Sequence, residues 1–252
     1  MEPIRSRANA RLKAARKLQA KRNRLTAGLF LAEGEDIVEE ALAAGILPAE
    51  SFLAAGRPPD AALAARLERG GPVHLVADDL LAELGSLGHP ARVIAVFRIG
   101  DLPARAGGDL GVHLHRVIDP GNVGTVVRAA GALGPAFLSL SPGCSDPLSG
   151  KGVRASMGAV FRVAVDHGEA PPEGLRRVAL VPAAERSLWQ VDLRSPTVFV
   201  VGAERHGLPE ELVSSADEVA AIPQAAGAES LNAAAAATVA LYEAVRQRAA
   251  PG

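Results

Sequence analysis

Short runs of apolar, largely β-branched residues alternate with segments of helical period along nearly all of this 252-residue chain. A strand that stays apolar on consecutive residues has to be covered on both faces, and helices in the connections supply that cover. The expected fold class is α/β with a mostly parallel sheet. In the first part the pattern predicts strands at Leu29–Ala32, Ser51–Ala54, Val73–Val76 and Arg92–Arg98. Between them it predicts an amphipathic helix over residues 6–24, then Glu35–Ala44 ended by Gly45, Asp60–Arg69, and Asp78–Leu84 with Asp78 as N-cap.

Residues 100–111, GDLPARAGGDLG, are rich in Gly, Pro and Asp and read as a linker. It divides a smaller domain, 1–99, from a larger one, 112–252. In the larger domain the alternation predicts strands at Val112–Ile118, Ala136–Leu140, Arg177–Val181, Thr197–Val201 and Glu218–Ile222. Helices are predicted at Val123–Leu133, Leu208–Ser215 and Ser230–Arg248, the last alanine-rich.

Charge is unevenly distributed. Residues 1–24 carry nine Lys/Arg against the single acid Glu2, which makes this arm +8 in a chain of net charge −1. Such an arm can displace counterions from a phosphate backbone, so Arg7, Arg11, Lys13, Lys17, Lys21, Arg22 and Arg24 are candidate nucleic-acid contacts. Aromatic residues make up only 3%, leaving few rings for base stacking. The lone cysteine, Cys144, excludes an internal disulfide and a cysteine-rich zinc site, and no metal is expected. MEPIRSRANARLKAARK holds no apolar stretch of the length a secretory signal needs, and no segment reads as a membrane span. A cytoplasmic protein is expected.

Three segments lie at strand-to-loop or loop-to-helix junctions, where ligands sit in open α/β sheets. The first is DPGNVGTVVR, Asp119–Arg128, in which Arg128 falls within an otherwise apolar helix and so calls for a partner. The second is GAERHGL, Gly202–Leu208, where His206 reads as a solvent-side residue because no companion ligand is evident. The third, IPQAAGAESLN, Ile222–Asn232, opens the last helix with Ser230 as a natural N-cap and Asn232 in the first turn. The string GNVGTVVR is not a dinucleotide fingerprint, and the acidic residue such a site requires is missing, which argues against a nicotinamide oxidoreductase.

Together the three segments resemble the three motifs of the SpoU/TrmH RNA methyltransferases, in that family's order and spacing. KGVRASMG, Lys151–Gly158, resembles a fourth stretch of the family. The similarity covers roughly residues 112–248. SRANARLKAARKL, KRNR and FLAEGEDIVEEAL resemble the substrate-binding domain that precedes the catalytic one in many members. The resemblance implies a trefoil-knotted catalytic domain, a homodimer, and transfer of a methyl group from S-adenosylmethionine to a ribose 2′-hydroxyl of RNA. The extra basic domain suggests a large structured RNA, so ribosomal RNA is expected in preference to transfer RNA. The alternatives are a non-catalytic RNA-binding or ribosome-assembly factor that keeps the fold, and transfer RNA rather than ribosomal RNA as the substrate.

By motif position the resemblance assigns catalysis to Arg128, Asn122, Glu204, Ser230 and Asn232. Cofactor contacts fall to Val201, Gly202, Ala203 and Gly207, and to Ile222, Pro223, Gln224, Ser230 and Leu231. Arg154 joins the RNA contacts. Gln224 stands where the family usually has Met, Ala226 where glycine is common, and Ala233–Ala236 where Val and Ser are usual.

Overall fold

The computed structural model describes residues 2–85, 91–134, 136–225 and 230–249. Contacts divide the chain into two compact units, Met1–Leu102 with Asp146–Arg162, and Pro103–Ser145 with Val163–Gly252. The elements in chain order are α1 (Ala10–Lys17), α2 (Lys21–Ala27), β1 (Leu29–Glu33), α3 (Glu35–Ala43), β2 (Glu50–Ala54), α4 (Ala61–Glu68), β3 (Val73–Val76), α5 (Asp78–Leu84) and β4 (Val93–Arg98). They continue with β5 (Leu110–His115), α6 (Pro120–Leu133), β6 (Ala136–Leu140), α7 (Gly150–Ser156), β7 (Val165–His167), β8 (Arg176–Leu180), β9 (Thr197–Gly202), α8 (Glu210–Ser214), β10 (Glu218–Ala220) and α9 (Ala233–Ala249).

The first unit is built on a four-stranded sheet of order β1-β4-β2-β3. β4 runs antiparallel to both its neighbours, and β2 and β3 are parallel. The unbroken apolar run of β4 explains its central place, since five of its six residues are buried. Behind the sheet Phe30, Phe97 and Phe161 form one aromatic group with centroids 4.8–6.0 Å apart. Phe161 follows α7, so the KGVRASMG stretch packs in this unit although its sequence position lies beyond the linker.

The basic arm folds as two helices, where the sequence predicts one over residues 6–24. Asn9 caps α1, and Leu12, Ala15 and Leu18 are buried with Leu80, Leu81 and Leu84 of α5. Leu25, which follows them at roughly helical spacing, is 64% exposed. The chain breaks after Leu18 because Arg24 and Asn23 take the terminal carbonyls. The Arg24 guanidinium donates to the Leu18 and Gln19 oxygens at 2.8 and 2.7 Å, and Asn23 Nδ2 to the Lys17 oxygen at 2.8 Å. Asp78 does not cap α5, because Ala77 holds that position and Asp78 Oδ1 accepts from the Gly56 amide.

The second unit carries a six-stranded, wholly parallel sheet of order β10-β8-β9-β5-β6-β7. β5 begins at Leu110, inside the stretch read as linker, and the expected Val112–Ile118 strand ends early at His115. β6 is buried throughout and β5 and β9 nearly so, as their continuous apolar sequence requires. α6 packs on α9, where Ala237, Ala240 and Ala244 are fully buried. Small side chains there let two helix backbones approach closely. From β5 the chain proceeds outward through β6 and β7, then returns to build β8, β9 and β10 on the other side. The β5–β9 boundary is therefore the switch point, where loops from the strands' C-terminal ends diverge and leave a crevice.

Candidate active site

The register pairs His115 with Gly202, the last residues of β5 and β9, so the loops that follow start side by side. After β5 the backbone turns sharply. Arg116 has φ +52°, a left-handed conformation uncommon for a residue with a side chain. Ser141 Oγ fixes the turn by accepting the Arg116 amide at 3.0 Å, and Val117 is buried beneath it. Asp119 then caps α6, accepting the amides of Gly121 and Asn122 at 2.6 and 3.1 Å, with Pro120 in the first turn, where a missing N–H costs nothing.

This cap holds Asn122 at the head of α6. Its side-chain amide donates to Glu204 Oε1, and its Oδ1 accepts from Asn232 Nδ2 at 3.1 Å. Asn232 Oδ1 in turn accepts the amides of Ala234 and Ala235 at 2.9 and 3.3 Å. Asn232 is thus the N-cap of α9 and Ser230 is not, a correction of the sequence expectation, and Ser230 lies two residues before it, exposed. One chain of side-chain bonds, Glu204–Asn122–Asn232, ties together three segments separated by 82 and 110 residues.

Arg128 stands outside this chain. It is exposed on α6 and has no hydrogen-bonding or ion-pair partner among the described residues, so the partner that its place in an otherwise apolar helix called for is not found there.

The loop after β9 folds back on itself. The Gly207 amide donates to the Ala203 oxygen at 2.8 Å, and Gly207 has φ +62°. A Cβ on Gly202 would lie 2.3 Å from the Gly207 carbonyl, so this close return admits only glycine there. Behind the loop opens a cleft of about 560 Å³ out to its mouth. Val201, Gly202, Ala203, Gly207, Ile222, Gln224, Ser230 and Leu231, all expected at a ligand, line it. Glu204 lines it as well, whereas Pro223 does not. Sequence reasoning missed Leu180, Val181 and Pro182, which follow β8, and Ala233 and Ala236 of α9. The signal for the former was available, because β8 ends at the same edge of the sheet. The walls are mainly apolar, with Glu204, Gln224 and Ser230 as polar groups. Such a surface suits a ligand with a flat apolar portion and polar ends. Ala226 lies outside the described residues.

A second cavity, about 1400 Å³ out to its mouth, shares Ala203, Glu204 and Gly207 with the first and reaches His115, Arg116 and Arg205. The ring of His115 is held below its ordinary pKa by burial and by the neighbouring Arg116 charge. His113, two residues earlier, is fully buried and lowered to about 4, by burial first and then by His115 and Arg177. His206 is exposed, as expected. Cys144 donates to the Leu114 oxygen at 3.2 Å. Among the described residues no group of three or more His, Cys, Asp or Glu side chains is placed to hold a metal ion, and no helix is long and apolar enough to cross a membrane.

The candidate RNA contacts have unequal circumstances. Lys13, Lys17, Lys21 and Arg22 are exposed. Arg7 pairs with Glu83, Arg11 with Glu50 at 2.8 Å and Arg154 with Glu33 at 3.6 Å. Arg24 leaves the set, because its side chain is 5% exposed and its guanidinium is bonded to Asp146 at 2.5 Å and to two carbonyls.

Residues 109–242, which carry the parallel sheet and the bonded Asn122, Glu204 and Asn232, match the SpoU rRNA Methylase family in sequence. The chain belongs to this family. Residues 9–95 match the MRM3-like substrate binding domain. The chain is 35% identical to an uncharacterized tRNA/rRNA methyltransferase of Synechocystis, over 97% of this chain and 94% of that one. It is 34% identical to the 23S rRNA (uridine(2479)-2′-O)-methyltransferase of Streptomyces viridochromogenes, over 95% and 91%. The AdoMet-bound rRNA methyltransferase of Sinorhizobium meliloti superposes with TM-score 0.81 at 31% identity, covering 97% of each chain.

Proposed function

We propose that this protein is an S-adenosylmethionine-dependent RNA methyltransferase that acts on a ribose 2′-hydroxyl of ribosomal RNA. The observation that carries the reading is the Glu204–Asn122–Asn232 chain at the mouth of an apolar cleft. The cleft suits the cofactor: Val201, Ile222 and Leu231 would offer apolar walls to its adenine and aliphatic chain, and Gln224 and Ser230 would offer polar groups. When bound, S-adenosylmethionine supplies a sulfonium methyl group that is already electrophilic.

The protein's own residues must align the hydroxyl and see its proton removed. Asn122 and Asn232 orient the loops about the reacting atoms, and Glu204 fixes Asn122. Arg128 cannot accept the proton, because a guanidinium stays charged and offers only donors. Its role in this reading is to grip the phosphate beside the target ribose. That contact lowers the hydroxyl pKa and presents a phosphate oxygen as proton acceptor. The exposed Lys13, Lys17, Lys21 and Arg22 give the first unit its RNA contacts. Such RNA is recognised largely through shape and unpaired loops.

Exposed apolar side chains on α9, Val239 at 42% and Tyr242 at 57%, support a homodimer. The trefoil knot and a cytoplasmic location belong to the same reading. The test is transfer of tritiated methyl from S-adenosylmethionine to unmodified bacterial 23S ribosomal RNA transcripts, followed by nuclease mapping of alkali-resistant linkages. Methylation of transfer RNA alone would move the substrate. Cofactor binding without transfer to either RNA would favour a non-catalytic assembly factor.

A further inference from the structure

The larger cavity shares Ala203, Glu204 and Gly207 with the cofactor cleft and so opens directly beside the place where the methyl group would be presented. Its charge is informative. Of its two carboxylates, Glu204 accepts from Asn122 and Asp119 caps α6. Its two guanidiniums, Arg116 and Arg205, are exposed and have no hydrogen-bonding or ion-pair partner among the described residues. The cavity therefore presents cationic donors without partners beside carboxylates already engaged. That is a surface for an anion attached to something large enough to fill the remaining space.

Arg116 is placed there by the backbone. Its φ of +52° directs a residue with a side chain into a conformation usually taken by glycine, and Ser141 holds the amide in it. A turn that needed only its shape would be met more easily by Gly. The guanidinium, rather than the turn, accounts for arginine at this position. Beside it, His115 also lines the cavity and presents a ring with a buried Nδ1 that has no hydrogen-bond partner among the described residues.

We infer that this cavity seats the ribonucleotide whose 2′-hydroxyl is modified, and that Arg116 holds a phosphate flanking that nucleotide. The inference rests on the function proposed above. It divides the phosphate contacts between two arginines, with Arg128 serving the reacting ribose and Arg116 positioning the nucleotide through binding alone.

The test compares R116G, R116K and the parent protein. Glycine suits the positive φ, so R116G keeps the turn and removes only the guanidinium. Three quantities are measured for each: cofactor affinity by calorimetry, RNA affinity across a salt series, and steady-state methylation of 23S ribosomal RNA transcripts. Cofactor affinity is expected to stay constant. RNA affinity of R116G should fall about tenfold, with the slope of log K against log salt reduced by about one. KM for RNA should rise about tenfold with kcat changed less than about threefold, the pattern of lost uniform binding. R116K should keep the salt slope and recover part of the affinity, because lysine is a point charge without the planar fork. An R116G protein with the parent's RNA affinity, slope and KM overturns the inference while leaving the proposed function standing. A parent protein that transfers no methyl group overturns both.

Discussion

In the first unit most arginines are held by carboxylates: Arg7 by Glu83, Arg11 by Glu50, Arg92 by Glu35, and Arg24, deeply buried, by Asp146. In the second unit ion pairs gather near the starts of the strands, as with Arg176–Glu218 and Arg248–Asp109. At the opposite edge, where β5 and β9 end, Arg116 and Arg205 have no partner among the described residues, and neither does Arg128 on α6. The contrast separates charge used for architecture from charge left available to a ligand. A +8 arm suggests a nucleic-acid surface, yet part of that charge holds the first unit together.

The largest expected effect lies in the first unit. Replacing Arg24 by Ala leaves Asp146 half-buried without its partner and returns the Leu18 and Gln19 carbonyls to an incomplete helix end. Breaking a buried pair in this way costs about 3–5 kcal/mol. Urea denaturation should show that loss for Arg24→Ala and less than about 0.5 kcal/mol for the exposed Arg22→Ala. Arg22→Ala should instead weaken RNA binding and lower its salt slope. If the two variants exchanged these outcomes, the division between architectural and available charge would be wrong.

Arg128→Ala should behave in the opposite sense. The side chain is exposed and without a described partner, so stability should hold within about 0.5 kcal/mol. Turnover should fall by a factor of at least about 10²–10³, the range for removing one hydrogen-bond donor that stabilises charge developing in the transition state. Calorimetric titration with S-adenosylmethionine should be unchanged within about twofold. A large loss of cofactor affinity would place Arg128 in the cleft and remove its role toward the phosphate.

These contrasts also mark how much was legible in the amino-acid sequence. The buried strands were, because a parallel sheet demands continuous apolar runs, and nine of the ten described strands lie at expected positions, β3 and β6 with the expected ends and the others with shifted ones. β7 was not, since Val165–His167 is short, polar and partly exposed. The break between α1 and α2 left no Gly or Pro to betray it, being made by side-chain bonds to carbonyls. Within the site, the motif spacing picked out Asn122, Glu204 and Asn232, and strand adjacency at the switch point brings them within bonding distance. Arg116 and His115 escaped notice because their position depends on one backbone angle and on the pairing of β5 with β9. Neither leaves a trace in hydropathy.

The second unit also contains a buried ionisable group, and it differs from Arg24 in being neutral and incompletely bonded. His113 shares a 3.0 Å hydrogen bond with Ser139 through Nδ1, while its Nε2 has no partner among the described residues. With the native pKa lowered to about 4 from 6.5, the unfolded chain takes up a proton at a pH where the native protein does not. Stability from this group is therefore fully present above about pH 6.5 and is lost as pH falls toward 4, by up to about 3 kcal/mol. His113→Gln should flatten the decline between pH 7 and 5 in urea titrations of the second unit's transition. An unchanged slope would show that His113 does not govern acid stability.

The smallest expected effect on stability tests whether the site's bonds are architectural after all. Asn232 does two things with one side chain: Oδ1 caps α9 and Nδ2 donates to Asn122. Asn232→Ala removes both and should cost about 1 kcal/mol through the lost cap. Asn232→Asp keeps an accepting oxygen for the Ala234 and Ala235 amides and adds a negative charge at a helix N-terminus, so its stability should match the parent's or exceed it slightly. It cannot donate to Asn122, and it sets a carboxylate against the Asn122 oxygen in place of an N–H. If the Glu204–Asn122–Asn232 chain positions the loops for transfer, Asn232→Asp loses turnover while remaining as stable as the parent. If the bond only steadies the start of α9, the aspartate variant retains turnover and only Asn232→Ala suffers, through stability. Melting temperature and kcat measured on the same two variants separate these outcomes.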